Sequence, residues 1–274
     1  MKMKLLTFNT HSLVEGRGEE QISVLADAIL AERFDVVALQ EVNQPKDRAP
    51  ISEGASVKQG NFAAEVIEKL GEAGEKYYFS YLPIKLGYEK YDEGLAFLCR
   101  APIIETRSIL LSKPRSYIDW KKRMALGIRC EGSDEWFWNL HMSWWEDADE
   151  PFCAQWVRLL PHLPAEQVFW LLGDFNNPAE VRGEGYDLLR EFGLFDAFAA
   201  AEKRCGEGTA GSGIDGWHGK DVPCELLRMD QIWASRPWRV LEYRTLFDGV
   251  RYPEISDHFG VAVMVENSCE EKTE

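Results

Sequence analysis

The chain of 274 residues has no apolar stretch of the length that a bilayer crossing demands. Its first residues, MKMKLLTFN, pass from two lysines straight into a strand-like pattern, without a long apolar segment and a small-residue cleavage site. Neither a membrane span nor an export signal is expected, and a cytoplasmic location is. Cysteine is sparse and unpatterned. Cys99, Cys130, Cys153, Cys205, Cys224 and Cys269 show no C-x-x-C spacing, and Cys99 and Cys130 sit in apolar runs where a thiol behaves as a small hydrophobe. Reduced thiols are expected, and the Cys205, His218, Cys224 grouping matches no zinc spacing. Positive charge is also in short supply, since 31 Lys and Arg face 46 Asp and Glu for a net charge of -15. Such a surface repels phosphate polymers and anionic membranes at long range, which disfavours a nucleic acid partner. No internal repeat is evident.

What is present is a large core. A hydrophobic content of 45% suits one domain, placed over 1–266, followed by an acidic tail at 267–274. Strands are predicted at Lys4 to Asn9, Asp35 to Gln40, Leu95 to Arg100, Ala125 to Cys130, Trp136 to Met142, Val168 to Gly173, Met229 to Ala234 and Phe259 to Val265. Ile22, Leu25, Ala26, Ile29 and Leu30 form a helical stripe. Further stripes are Ala63, Val66, Ile67 and Leu70, and Phe152, Trp156, Leu159, Leu160 and Leu163. A fourth helix around Tyr186 to Phe192 ends at Gly193. Helices between some strands and hairpins between others favour two packed sheets with helices outside. The Gly-rich stretch from Cys205 to Asp221 is expected to hold no regular element.

Polar residues stand at predicted strand tips again and again: Asn9 in LLTFNTH, Glu41 in VVALQEV, His141 in WNLHMSWW, Asp174 and Asn176 in GDFNN, and Asp257 with His258 in ISDHFG. Glu41 taken alone reads equally as a turn residue or helix cap. The repetition favours a site. If the tips converge, Glu41 and Asp257 supply hard oxygen ligands for Mg²⁺ or Mn²⁺, with a phosphate completing the shell. Asn9 and Asn176 add neutral amides that ligate or hydrogen-bond a phosphate without repelling it. Asp174 could then align an attacking water. His258 cannot take its orientation from its neighbour Asp257, because adjacent strand residues point to opposite faces. Asp230 in LRMDQIWAS is a candidate partner that would fix the tautomer of a general base. His141 would donate to the phosphate or the leaving oxygen, whereas His11, His162 and His218 are given structural roles.

FNTH, LQEV, EGLAFLCRAPI, NLH, LLGDFNNP, RMDQIWAS and ISDHFGV occur in the order of one family. The chain resembles, nearly end to end, the endonuclease/exonuclease/phosphatase superfamily of DNase I-like metal-dependent phosphoesterases. The resemblance implies an α/β fold: a four-layer α-β-β-α sandwich with two central mixed, largely antiparallel sheets. It implies Glu41 as principal metal ligand with Asn9 and Asp257, and Asp174 and Asn176 as the pair orienting nucleophile and phosphate. It further implies Asp230 and His258 as acid-base dyad and His141 as the second catalytic histidine. The segments around HMSWWEDADEPF, RGEGYDLL and GIDGWHGKD are similar to a bacterial branch that includes maltose 6'-phosphate phosphatases.

The substrate stays open at this level, because fold does not fix it. A nuclease needs a basic track, and the candidate is KPRSYIDWKKR at 113–123, which reads either as a solvated hairpin or as a clamp in which Arg123 grips one phosphate. Trp144, Trp145, Glu146, Asp147 and Asp149 read either as core and flanking residues or as an aromatic, acidic wall suited to sugar hydroxyls. Trp217 joins the substrate-binding candidates. The expectation is a phosphomonoesterase acting on a small sugar phosphate. A nuclease or other phosphodiesterase is the alternative enzyme, and a non-catalytic scaffold the alternative outside enzymes.

Overall fold

Trp170 and Leu172 enter one apolar cluster while Leu171, between them, enters another on the opposite face. A strand with a layer packed on each side has no polar face to show, and the run is apolar for that reason. Leu5 against Leu6, and Val36 and Ala38 against Val37 and Leu39, divide in the same way between the inner cluster and a third one. Three apolar layers therefore separate four layers of secondary structure.

In this computed structural model residues 2–14, 16–211, 214 and 224–266 are described. The tail at 267–274, Trp217 and His218 lie outside them. In chain order the strands are β1 (Lys2–Asn9), β2 (Val36–Pro45), β3 (Tyr78–Gly87), β4 (Tyr91–Cys99), β5 (Ile103–Leu110), β6 (Met124–Cys130), β7 (Trp136–His141) and β8 (Phe169–Asp174). They continue with β9 (Phe195–Asp196), β10 (Arg204–Cys205), β11 (Ala210–Gly211), β12 (Leu226–Leu227), β13 (Asp230–Ala234), β14 (Arg239–Leu246) and β15 (Gly260–Glu266). One sheet runs in the order β10, β14, β15, β1, β2, β4, β3, and the other β5, β6, β7, β8, β13, β9. Only the pairs β1 with β2, β10 with β14, and β7 with β8 are parallel among those in the two sheets.

Helices α1 (Gly18–Glu32) and α2 (Phe62–Glu72) cover the first sheet, burying Leu25, Ile29, Val66 and Leu70 against Leu6, Val37 and Leu39. Each such side chain contributes roughly 1.5–3 kcal/mol on removal from water. Asn61 caps α2 by accepting from the Ala64 amide at 3.0 Å. Helices α3 (Phe152–Leu159) and α4 (Gly185–Glu191) cover the second sheet through Phe152, Trp156, Leu159, Tyr186 and Leu189. A short turn, α5 (Ala197–Ala200), follows β9. The expected four-layer α-β-β-α sandwich is the observed one.

Differences from the sequence expectation have local causes. The third stripe does not continue as one helix, because Pro161 lacks an amide hydrogen and the chain tightens to a 3-10 turn at Leu160–His162. Strand β5 is an edge whose middle residues are exposed, so it shows no alternation. Strand β3 is an edge of the first sheet and carries Pro83, which a central strand would not accept. Strand β14 places Arg239, Glu242 and Arg244 among its apolar residues. The Gly-rich stretch is not wholly irregular, since Cys205 closes β10 and Ala210–Gly211 forms β11. Cys99, Cys130, Cys153, Cys205 and Cys224 are all free thiols. Among the described residues no helix is long and apolar enough to cross a membrane.

Candidate active site

Topology gathers the polar tips. β1 and β2 are parallel, so Asn9 and Glu41 share one end of the first sheet. β7 and β8 are parallel in the second sheet, where His141 pairs in register with Asp174. β13 runs antiparallel to β8 and starts where it ends, with Asp230 opposite Asp174. His258 precedes β15, which runs antiparallel to β1 and so begins at the same end.

Irregular backbone aims these side chains. Leu39 faces Ala96 while Val42 faces Gly94, so Gln40 and Glu41 bulge out of β2 against a single partner residue. Glu41 has φ 49°, a conformation that costs energy in a residue with a Cβ. Its carbonyl is held by hydroxyls of Thr10 and Ser12, at 3.1 and 2.9 Å. Gly173 lies so near the Leu140 backbone that an added Cβ would overlap the Leu140 carbonyl oxygen. Gly173→Ala is expected to lower unfolding stability by about 3 kcal/mol in urea denaturation. An unchanged midpoint would show that the two strands are not pressed together there.

Asn9 Nδ2 donates to Glu41 Oε1 at 3.0 Å and to Asp174 Oδ2 at 3.1 Å, linking the two sheets. Asp174 Oδ1 accepts the Asn176 amide at 2.9 Å, and Asn176 Nδ2 donates to the Met142 carbonyl. His258 Nδ1 and Asp230 Oδ2 are 2.8 Å apart, with Asp230 fully buried. His258 Nε2 then faces Asp174 Oδ2 at 3.9 Å, and His141 Nε2 faces the same oxygen at 3.8 Å. His141 Nε2 is also 4.0 Å from Glu41 Oε1.

These contacts set the charges. Burial pushes the Asp174 carboxyl up to about 6, with His258 opposing and Asp230 adding to the rise. Burial raises Glu41 as well, and the charges of Glu93 and Asp257 reinforce it. Burial by itself would pull His258 down. The carboxylates of Asp230 and Asp174 outweigh it and hold the imidazole well above the usual histidine value. His141 lies well below that value, first through burial and then through Arg123 and Lys85, so it is a neutral hydrogen-bonding imidazole at neutral pH.

A cleft of about 300 Å³ opens over the group, lined by Glu41, His141, Asp174, Asn176, Asp257 and His258. Asn9 and Asp230 stand behind these residues, at 1% and 0% exposure. Arg123 and Trp144 line the cleft as substrate-binding candidates. Trp145 does not, because its ring packs on Phe152 against the outer core. The acidic wall is also used elsewhere, since Asp147 and Asp149 hold Lys121 at 2.9 and 2.7 Å. Trp217 lies outside the described residues. The structure adds His11, Lys85, Tyr88, Glu93 and Trp120, which the sequence reading did not place there. His11, given a structural role from sequence, is 3.5 Å from Asp257. Glu93 lies within the EGLAFLCRAPI motif and could have been flagged by it.

The donor set suits a hard divalent cation. Glu41, Glu93 and Asp257 line one cleft and raise the proton affinity of Glu41, a repulsion that a cation would relieve. Asn9 turns its NH₂ toward Glu41 and its oxygen toward the His11 amide, so it holds the candidate ligand Glu41 in position. Asp174, Asp230 and His258 also lie close enough to share an ion. The bond between His258 and Asp230 already occupies that pair, which favours the Glu41 and Asp257 side.

The profile of the Endonuclease/Exonuclease/phosphatase family matches residues 6–258. The chain belongs to that family. Its members are hydrolytic enzymes that include phosphatases and nucleases and generally use divalent metals, which makes this chain a phosphoesterase of the superfamily. No curated protein matches the chain. Among solved structures, a family member from Leptotrichia buccalis is 29% identical, covers 96% of this chain and 99% of its own, and superposes with a TM-score of 0.85. A mannosyl-6-phosphatase from Bacteroides thetaiotaomicron, at 20% identity, covers 96% and 99% with a TM-score of 0.63. TDP2 from C. elegans, at 17% identity, covers 97% and 75% with a TM-score of 0.61. The last two similarities show the shared fold, which is the DNase I-like one.

Proposed function

We propose that this family member is a phosphomonoesterase that hydrolyses a small sugar phosphate with Mg²⁺ or Mn²⁺. One observation carries the reading: among the described residues, the only Lys and Arg lining the cleft are Lys85 and Arg123, both buried at about a tenth exposure or less. The basic segment at 113–123 makes no track toward the site. Lys121 is held by two aspartates, and Arg123 alone of its basic residues turns into the cleft. A polyanion would find no row of cations to follow, and the net charge of -15 repels it.

Glu41 and Asp257, with Asn9 behind, would hold the metal, which supplies Lewis-acid polarisation of the phosphoryl group and stabilises the leaving oxygen. The attacking water would bridge Asp174 Oδ2 and His258 Nε2 from the cleft side, off the 3.9 Å line that joins them. Asp174, at about 6, is ionised at neutral pH and takes the proton. His258 enters as imidazolium, because Asp230 and Asp174 hold its proton. It therefore stabilises the charge developing on phosphate, a role different from the base expected from sequence. His141, whose Nε2 also faces Asp174 Oδ2, would donate a hydrogen bond to the phosphate or the leaving oxygen.

Trp120 and Trp144 form the wall, with ring centroids 6.1 Å apart and Trp120 53% exposed. Such faces cover the apolar side of a pyranose. Trp120→Ala is expected to raise KM for the sugar phosphate about tenfold, the worth of one such contact, with kcat little changed. A fall in kcat alone would remove Trp120 from the sugar site.

The deciding experiment measures phosphate release with Mg²⁺ from a sugar-phosphate panel that includes maltose 6'-phosphate, beside single- and double-stranded DNA, each with an EDTA control. Chelator-sensitive turnover of a sugar phosphate with intact DNA supports the reading. Cleavage of DNA with untouched sugar phosphates overturns it in favour of a nuclease.

A further inference from the structure

Two buried cations meet in the cleft. Lys85 reaches it because β3 carries an irregularity at Ile84: Pro83 pairs with Gly94 and Lys85 with Glu93, leaving Ile84 as the extra residue. The interruption shifts the alternation of the strand, so that Ile84 enters the core between the sheets and Lys85 lines the cleft. Lys85 Nζ contacts Glu93 Oε1 at 3.1 Å and donates to the Trp120 carbonyl at 3.0 Å. Arg123, just before β6, donates from Nη1 to the same Trp120 carbonyl at 2.9 Å and to that of Lys122 at 3.3 Å.

Both positive heads therefore converge on one carbonyl oxygen, and among the described residues Glu93 is the carboxylate in contact with Lys85. Arg123 is 8% exposed and its Nε is buried without a hydrogen-bond partner. Lys85 uses two of its three ammonium donors on Glu93 and Trp120. Like charges held together in a closed place, with unused N–H groups, are costly unless an anion completes them. Their charges also reach His141, which places the pair beside the catalytic groups.

We propose that Lys85 and Arg123 form an anion subsite that grips the doubly charged end of a phosphate monoester and so selects monoesters over diesters. The selection rests on the phosphatase reading above. A monoester carries close to two negative charges at neutral pH. A diester carries one, and replaces one of the oxygens that the subsite would grip with a second organic group. Two adjacent cations match the dianionic monoester better than the monoanionic diester, and charge-assisted bonds from their remaining N–H groups are stronger to the more highly charged phosphate.

The test compares kcat/KM with Mg²⁺ on p-nitrophenyl phosphate and bis-p-nitrophenyl phosphate for wild type, Lys85→Met and Arg123→Gln. Calorimetric binding of inorganic phosphate is measured beside it. Because Lys85→Met strands Glu93, the double variant Lys85→Met, Glu93→Gln is included, and all are checked by thermal melting. The expected result is a fall of about 10- to 100-fold in the monoester-to-diester ratio, the worth of one hydrogen bond to a charged group. Phosphate should bind correspondingly more weakly, with partial recovery in Arg123→Lys. An unchanged ratio and unchanged phosphate affinity in folded variants would overturn the subsite. A wild type that prefers the diester would overturn the phosphatase reading and the selection with it. The anion subsite would then stand or fall on phosphate binding alone.

Discussion

Asp230→Asn is expected to cut turnover by about 10³- to 10⁴-fold, the scale seen when the carboxylate behind a catalytic histidine is neutralised, with the metal still bound. Asp230 is fully buried and its amide is fixed by Thr209 Oγ1 at 3.0 Å, so the isosteric amide occupies the same place. What changes is charge. Burial alone depresses His258, and the Asp230 carboxylate is the first of the groups that reverse this. Without it the imidazole holds its proton less tightly, and the stabilising charge beside Asp174 is weakened. The variant should therefore show an alkaline limb of kcat/KM at lower pH, and a His258 ring titration by NMR shifted the same way. Wild-type turnover in a folded variant, with the ring titration unmoved, would refute the pairing as a functional unit.

Glu41→Ala should remove activity together with the divalent-cation dependence of stability, weakening metal binding by on the order of 100-fold. The sign of the stability effect follows from the carboxyl groups. Glu41 and Asp174 bind a proton more tightly in the folded site than in the unfolded chain, Asp174 at about 6. Their contribution is therefore most favourable at low pH. It falls as pH rises from the unfolded value, about 4, through the folded value, and the deficit persists at pH 7. A cation bound at Glu41 offsets that deficit only where the carboxylates are ionised. Mg²⁺ should thus raise the Tm of wild type by more at pH 7.5 than at pH 5. In Glu41→Ala the metal-induced rise should nearly vanish, and the metal-free protein at pH 7.5 should melt no lower than chelated wild type. An equal Mg²⁺ shift in both proteins would place the metal elsewhere.

Residues that failed to announce themselves share a physical reason. Lys85 lies in an edge strand with a proline and an irregular register, so no regular alternation in the sequence marks the face it takes. Trp120 sits in a loop whose tryptophan had no periodic context to mark it. Trp144 and Trp145 are adjacent and identical in type, yet one lines the cleft and the other packs on Phe152. Composition cannot choose between them, because consecutive side chains diverge and only the surrounding layers determine which direction is interior.

By itself the sequence determined the layers and the inventory of chemistry. Period-two and period-3.6 apolar patterns report burial directly, so the apolar runs fixed which strands are covered on both faces and which helices lie outside. Ordered tips at Asn9, Glu41, His141, Asp174 and His258 named the groups of the site. Tertiary structure alone decided their distances, charges and company. Parallel pairing of β1 with β2 and of β7 with β8 brought the tips to one end, and the bulge at Glu41 turned its carboxylate into the cleft. The proton balance of Asp174 and His258, and the meeting of Lys85 with Arg123, depend on separations of a few ångströms between residues far apart in the chain. Coulomb and desolvation energies change steeply over those distances, and residue order along the chain carries no measure of them.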